Sequence, residues 1–247
     1  MKPIFPLLFA ASICFSSLST IAHTAIPTRT TTYNTTITQD DRSVKNFTGI
    51  AAGGPIQVIV TMGSKESLKF EGDADAIASL VSEVKGDVLV IRPSVSWKSW
   101  AKKYEGKTII AHVGAKNISS LTMSGDGSIV VKGTLNAAEL AATLSGSGSI
   151  KATISADLLT GTLSGSGNIE LSGKSAKGSV NISGSGNVNG KTLALNDLTA
   201  RISGSGSISA KVTGEIKAFI SGSGHVYYSG NPSIEQKVIG SGGVSQL

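Results

Sequence analysis

Ser145-Gly146-Ser147-Gly148-Ser149-Ile150, Ser164-Gly165-Ser166-Gly167-Asn168-Ile169 and Ser183-Gly184-Ser185-Gly186-Asn187-Val188 are copies of one phrase, and its surroundings decide the fold. Further copies begin at Ser124 (as Ser-Gly-Asp-Gly), Ser203 and Ser221, and a worn one, Gly240-Ser241-Gly242-Gly243, follows. Successive copies lie 21, 19, 19, 20, 18 and 18 residues apart. A fixed period of this length marks a repeat architecture.

Parity on either side of the phrase gives the local structure. In one copy Leu140, Ala142, Leu144, Gly146, Gly148, Ile150, Ala152 and Ile154 share a parity; in another Leu198, Ala200, Ile202, Gly204, Gly206, Ile208, Ala210 and Val212 do. Alternation with period two is the strand signature, with one face apolar. The serines fall on the other parity and face outward. Because the phase continues through the glycines, each phrase reads as a narrow bend in extended chain, where glycine permits torsions and close approach that other residues do not. A flexible Gly/Ser linker would lack the phased Leu, Ile and Val. One such coil cannot bury its apolar side, whereas stacked coils share a core. The expected fold is therefore all-β: a single-stranded β-solenoid, a parallel β-helix with right-handed connections and rungs of about 18–21 residues over 118–247. Stacking predicts outward columns Ser145/Ser164/Ser183/Ser203/Ser221 and Ser147/Ser166/Ser185/Ser205/Ser223.

Towards the N-terminus the pattern changes. Residues 1–22 have Lys2 as a basic start, an uncharged apolar run from Ile4 to Ile21 and a small-x-small end at Thr20-Ile21-Ala22, the form of a signal peptide. Cys14 is the only cysteine. Ile13 precedes it where a lipoprotein signal would carry Gly or Ala, and cleavage leaves a mature chain without thiols or disulfides. Removing Lys2 takes the formal charge from +6 to +5 over 225 residues, 247 less 22. So mild a basicity is compatible with anionic envelope polymers and does not predict nucleic-acid binding. Residues 23–40 are Thr-rich and read as a spacer. The domain 41–247 divides into irregular coils (41–117) and the repeat rungs. In the former, Ile56, Val58 and Val60 mark a strand after the turn Gly53-Gly54-Pro55, as do Leu68–Glu71, Val88–Ile91 and Thr108–Val113. One short helix is expected over Ala74–Val84, capped by Asp73. The mature chain offers no stable transmembrane span.

These residues carry a resemblance. Val44-Lys45-Asn46-Phe47-Thr48-Gly49-Ile50, then Gly54-Pro55-Ile56-Gln57-Val58, Glu71-Gly72-Asp73, Gly86-Asp87-Val88-Leu89-Val90-Ile91 and the Ser-Gly-Ser-Gly-Asn phrases at Ser164 and Ser183 together resemble the head GIN domain of autotransporter adhesins over roughly 41–247. The resemblance implies a β-helical, exported protein of the bacterial envelope with an adhesin role, and it defines no catalytic or binding residues. A translocator barrel would need many more alternating strands than this sequence offers, so self-secretion is not expected.

Catalytic motifs do not emerge. Gly-x-Ser-x-Gly is absent, and the Gly-x-Gly pairs lack both the third glycine of a dinucleotide fingerprint and Gly-Lys-Ser/Thr at P-loop spacing. Only Asp126 stands where a calcium-binding solenoid would repeat an aspartate. The ladder carboxylates Asp126, Glu139, Asp157, Glu170, Asp197, Glu215 and Glu235 fall at shifting places and form no evident acid/base pair. His112 and His225 read as ordinary strand residues. No catalytic, cofactor or metal residues are assigned, and a non-enzyme is expected. The distinctive stretch outside the repeats is Arg92–Lys107, a segment between two strands that holds Trp97, Trp100 and Tyr104 with Lys102 and Lys103. Such aromatics with basic neighbours suit stacking on sugar rings or a seat at a membrane interface, or else they form a lid over one end of the solenoid with the lysines solvated. The expectation is a binding or adhesion module, periplasmic or at the cell surface, whose partner is an envelope or surface polysaccharide. A periplasmic assembly protein, self-associating through the open strand edges of its solenoid ends, is the alternative, and a carbohydrate-active enzyme the third.

Overall fold

The computed structural model describes residues 37–247. The expected signal peptide 1–22 and most of the expected spacer 23–40 lie outside the described residues. Strand β1 (Ile37–Arg42) crosses the expected domain start at residue 41. It is followed by β2 (Gly49–Gly53), β3 (Gln57–Met62), β4 (Ser67–Asp73), α1 (Ala74–Ala78), β5 (Leu80–Lys85), β6 (Val88–Pro93), α2 (Trp97–Lys103), β7 (Ile109–Ala115) and β8 (Ser120–Ser124). Four long strands each make nearly a whole rung: β9 (Ser128–Gly146), β10 (Ser149–Gly165), β11 (Asn168–Gly184) and β12 (Asn187–Gly204). Then come β13 (Ser207–Val212), β14 (Glu215–Gly222), β15 (His225–Ser229), β16 (Ser233–Ile239) and β17 (Gly243–Gln246). The protein is an all-β solenoid.

Rungs pair parallel and in register. Ser145, Ser164, Ser183, Ser203 and Ser221 are successive partners, as expected from parity. Inside, Leu144, Leu163, Ile182, Ile202 and Ile220 form one buried column and Ile129, Ile150, Ile169, Val188, Ile208 and Val226 another. Like stacked on like gives each aliphatic side chain the same neighbours above and below, and this is how a coil that cannot bury its own face acquires a core.

The bend has its own ladder. The carbonyl of Gly146 accepts from the amides of Ser166 (3.1 Å) and Gly167 (3.0 Å) in the next rung, and that of Gly165 accepts from Ser185 and Gly186 (3.0 Å each). The first glycine of the phrase has positive φ in every copy, +121° at Gly146, while the second is buried at the core in every copy but the last, where Gly242 is half-buried. Strand β2 meets β8 with Gly53 opposite Ser124, and Gly54 (φ +86°) continues the column upward. Gly53-Gly54-Pro55-Ile56 is thus a hidden copy of the phrase, legible in the sequence only as a turn.

Beyond this copy the chain order inverts in space. β2 pairs with β6 and β3 with β7, so the later segment β6–β7 forms the outer rung. Strands β5 and β4 then add antiparallel to β6 and β7, and β1 adds to β4. Two expectations are corrected here. The helix predicted over Ala74–Val84 stops at Ala78, and Leu80–Lys85 is strand β5. β-Branched Val81 and Val84 favour a strand, and the Gly86-Asp87 turn closes a hairpin onto β6 that supplies backbone partners a helix would forgo. A second helix, α2, occupies the segment between two strands, where one helix alone is expected from the sequence. No Gly or Pro interrupts Ser96–Glu105, and Lys102 and Lys103 sit in its last turn, where cations suit the helix dipole.

Candidate functional site

The stretch Trp97–Tyr104 is positioned by an interruption of the rung. Between the pairs Ala52–Ile91 and Gln57–Ile110, the inner rung uses four residues (53–56) and the outer rung eighteen (92–109). The surplus rises off the bend and folds as α2. It lies over the end of the glycine column: a Cβ at Gly54 would be 3.4 Å from Pro93 Cγ and 3.7 Å from Trp97 Cβ.

The candidate residues of this helix differ in burial. Trp100 is 2 % exposed and donates from Nε1 to Ser79 Oγ at 2.7 Å, while Ser79 Oγ donates to the Ala76 carbonyl at the end of α1. Tyr104, half-buried, packs on Trp100 with ring centroids 5.1 Å apart and donates its hydroxyl to the Asp75 carbonyl. Both rings fasten α2 to α1. Asp73 caps α1 through the Ala76 amide, and Lys107 lies 3.1 Å from its carboxylate. That backbone hydrogen bond first, and Lys107 second, hold the Asp73 carboxyl below its ordinary value. Arg42 joins the assembly by donating to the Ile77 and Leu80 carbonyls and to Ser82 Oγ, with its guanidinium 4.7 Å from the Phe70 ring centroid. Trp97 is 40 % exposed with Lys98 Nζ 6.0 Å from its ring centroid, while exposed Lys103 lies with its Nζ 5.0 Å from the Tyr104 ring centroid; Val95 and Lys102 are exposed as well. Of the three aromatics Trp97 is thus the exposed one, with Lys98 beside it.

A second surface was not among the sequence candidates. On the outer face of the rungs, Thr143, Thr162, Asn181, Arg201, Phe219 and Lys237 are successive register partners next to the serine column. Phe219 is 40 % exposed. A shallow groove of about 440 Å³ runs from Thr162 and Asn181 past Arg201 to Phe219, and another of about 370 Å³ lies between Arg201, Lys217, Phe219 and Lys237. Lys217 is engaged by Glu215 (3.2 Å) and Glu235 (4.0 Å), whereas Arg201 and Lys237 have no carboxylate within 4 Å among the described residues. The signal for Phe219 is a large apolar residue on the outward parity, between inward Ala218 and Ile220.

His112 faces Glu71 across β4 and β7 at 3.1 Å, and His225 stacks on Tyr227. Among the described residues no three His, Asp or Glu side chains gather as metal ligands would, and no helix is long and apolar enough to cross a membrane.

Comparison with known families decides the kinship: the family model "Putative auto-transporter adhesin, head GIN domain" matches residues 46–232. The chain belongs to this family. Solved structures share the head GIN fold. A "putative adhesin" of Bacteroides fragilis superposes with a TM-score of 0.75 at 21 % identity, covering 85 % of this chain and 97 % of the other. A "putative lipid binding protein" of Parabacteroides distasonis gives 0.67 at 23 %, covering 87 % and 98 %. A "putative adhesin" of Parabacteroides merdae gives 0.66 at 20 %, covering 87 % and 97 %. At these identities the likeness concerns the fold. No curated protein matches the sequence.

Proposed function

We propose that this head GIN protein is an exported, non-enzymatic adhesion module of the bacterial envelope whose ligand is a surface glycan. The observation that carries the reading is the in-register outer face: serine, threonine and asparagine columns repeat once per rung on a rigid sheet, with aromatic and cationic side chains at their margins. Rungs ~4.8 Å apart set out hydroxyls at a spacing close to the length of one sugar ring, and exposed aromatics stack on sugar faces. At α2, exposed Trp97 with Lys98 beside it is the accessible anchor, Lys102 and Lys103 add charge elsewhere on the exposed helix surface, and Trp100 and Tyr104 hold the helix in place.

The test is a glycan-panel screen of the mature protein beside its Trp97→Ala variant, together with protease accessibility on intact cells. Saturable glycan binding and surface cleavage are expected. Failure to bind any glycan, or protection until the envelope is broken, would overturn the adhesion reading.

A second reading has its own observation. In the last described rung β16 pairs only with β14 and β17 only with β15, leaving a free edge on each, and Ile234 and Ile239 are exposed beside partly covered Val238 and Val244. A second copy laid on this end would extend the ladder and cover the apolar residues.

A further inference from the structure

The geometry points to an acidic-saccharide subsite at Phe219 and Arg201, on the outer face of β12 and β14. The inference rests on the glycan-binding reading and deepens it by naming the ligand's charge and the residues that meet it. It is independent of α2.

Phe219 presents its ring from a strand whose neighbouring outward positions are polar or charged. Burying such a ring on the apolar face of a pyranose removes from water an area that no contact within the chain covers. Its register partner in the rung before is Arg201, and the partner in the rung after is Lys237. Both are exposed and without a carboxylate partner among the described residues, in contrast to Lys151, Lys217, Lys107 and Lys85, each within 4 Å of an acid. Nor does the Arg201 guanidinium stack on the Phe219 ring, although the pair is adjacent; Arg42 on Phe70 shows what that contact looks like elsewhere in the chain. Ring and cation are thus separately available.

An unpaired guanidinium is a fork for a carboxylate or sulfate. Asn181 and Thr162, continuing the column away from the ring, offer amide and hydroxyl groups to sugar hydroxyls. A neutral sugar would leave the arginine fork unused. A hexuronate seated on Phe219 would place its carboxylate towards Arg201, one rung away. Charge complementarity therefore selects a uronate-containing chain over its uncharged counterpart.

The experiment titrates the mature protein with a galacturonate hexamer and with a galactose hexamer, for wild type, Phe219→Ala, Arg201→Gln and Lys132→Gln, following heat of binding. Circular dichroism verifies that each variant is folded. Wild type should bind the acidic hexamer about tenfold or more tightly than the neutral one, as expected for a charge-assisted hydrogen bond. Arg201→Gln should abolish that preference, and Phe219→Ala should weaken both sugars while Lys132→Gln, an exposed cation opposite Thr61 and off this column, leaves them unchanged. Acidic-sugar binding that persists in folded Arg201→Gln and Phe219→Ala overturns the subsite and leaves the adhesion reading standing. Absence of binding to either hexamer overturns the subsite, and the wider glycan panel then decides the adhesion reading separately.

Discussion

Gly146 shows how much of this molecule is settled at single residues. Its φ of +121° is strained for any L side chain, and a Cβ there would stand 2.6 Å from the carbonyl oxygen of Gly125 in the preceding rung. Gly146→Ala should therefore cost at least about 2 kcal/mol by strain and steric displacement together. Ser147→Ala, at the exposed neighbour, should stay within about 0.5 kcal/mol; thermal and urea unfolding of the two variants checks the contrast. A G146A protein as stable as wild type would remove the stacking role of the first glycine. Asp73 supplies a pH signature. Its carboxyl is held below the ordinary aspartate value of 3.8, chiefly by the Ala76 amide and then by Lys107. A depressed folded-state value means that its contribution is complete above the unfolded-state value and is lost as pH falls through the folded-state one. The melting temperature of wild type should accordingly fall more steeply below pH 4 than that of Asp73→Asn, and identical slopes would contradict the assignment. The serine columns and the need for glycine are legible in the sequence, since parity and period are local. The exposed Phe219 is equally local, yet it becomes a site only beside Arg201, which lies eighteen positions earlier and one rung away.

At the scale of elements, α2 is the informative case. Trp97, Trp100 and Tyr104 stand at i, i+3 and i+7, a helical spacing already present in the sequence. What makes the stretch helical in place is that its rung has fourteen residues more than the neighbouring one needs between the same register pairs. Trp100→Ala should destabilise the protein by about 3–5 kcal/mol through the cavity and the lost Ser79 partner. Trp97→Ala should leave the melting temperature nearly unchanged while weakening any glycan held at α2. Equal effects of the two on stability would contradict the contrast between buried Trp100 and exposed Trp97. The failed helix at Leu80–Lys85 teaches the converse. Local pattern allowed Ile77, Leu80, Val81 and Val84 on one helical face, and pairing with Val88–Pro93 overrode it. Backbone partners supplied by a neighbouring strand are invisible to a window of ten residues.

For the whole molecule, stability should be graded along the stack, because each rung draws on nearest neighbours alone. β10, β11 and β12 have partners on both sides; β16 and β17 have one. The opposite end carries α1, α2 and antiparallel β4, β5 and β1. Hydrogen exchange should be slowest in β10–β12 and fastest in β16–β17, with β6 and β7 protected despite their outer position; uniform protection would contradict a nearest-neighbour solenoid. If the second copy binds at the last rung, sedimentation should show concentration-dependent association that Val238→Glu abolishes, and a strictly monomeric wild type would remove that reading.

By itself the sequence determined the strand phase, the rung length, the stacking of like residues and the family resemblance, because each depends on spacings within about one rung of 18–21 residues and each recurs often enough to be unmistakable. Only the tertiary structure decided that Gly53-Gly54-Pro55-Ile56 belongs to the same glycine column, that β6–β7 lies outside β2–β3, that Trp100 is a fastener while Trp97 is accessible, and that Arg201 stands free beside Phe219. These relations join residues with no shared local pattern, and they are set by which backbone edges and apolar faces find partners when the whole chain is packed.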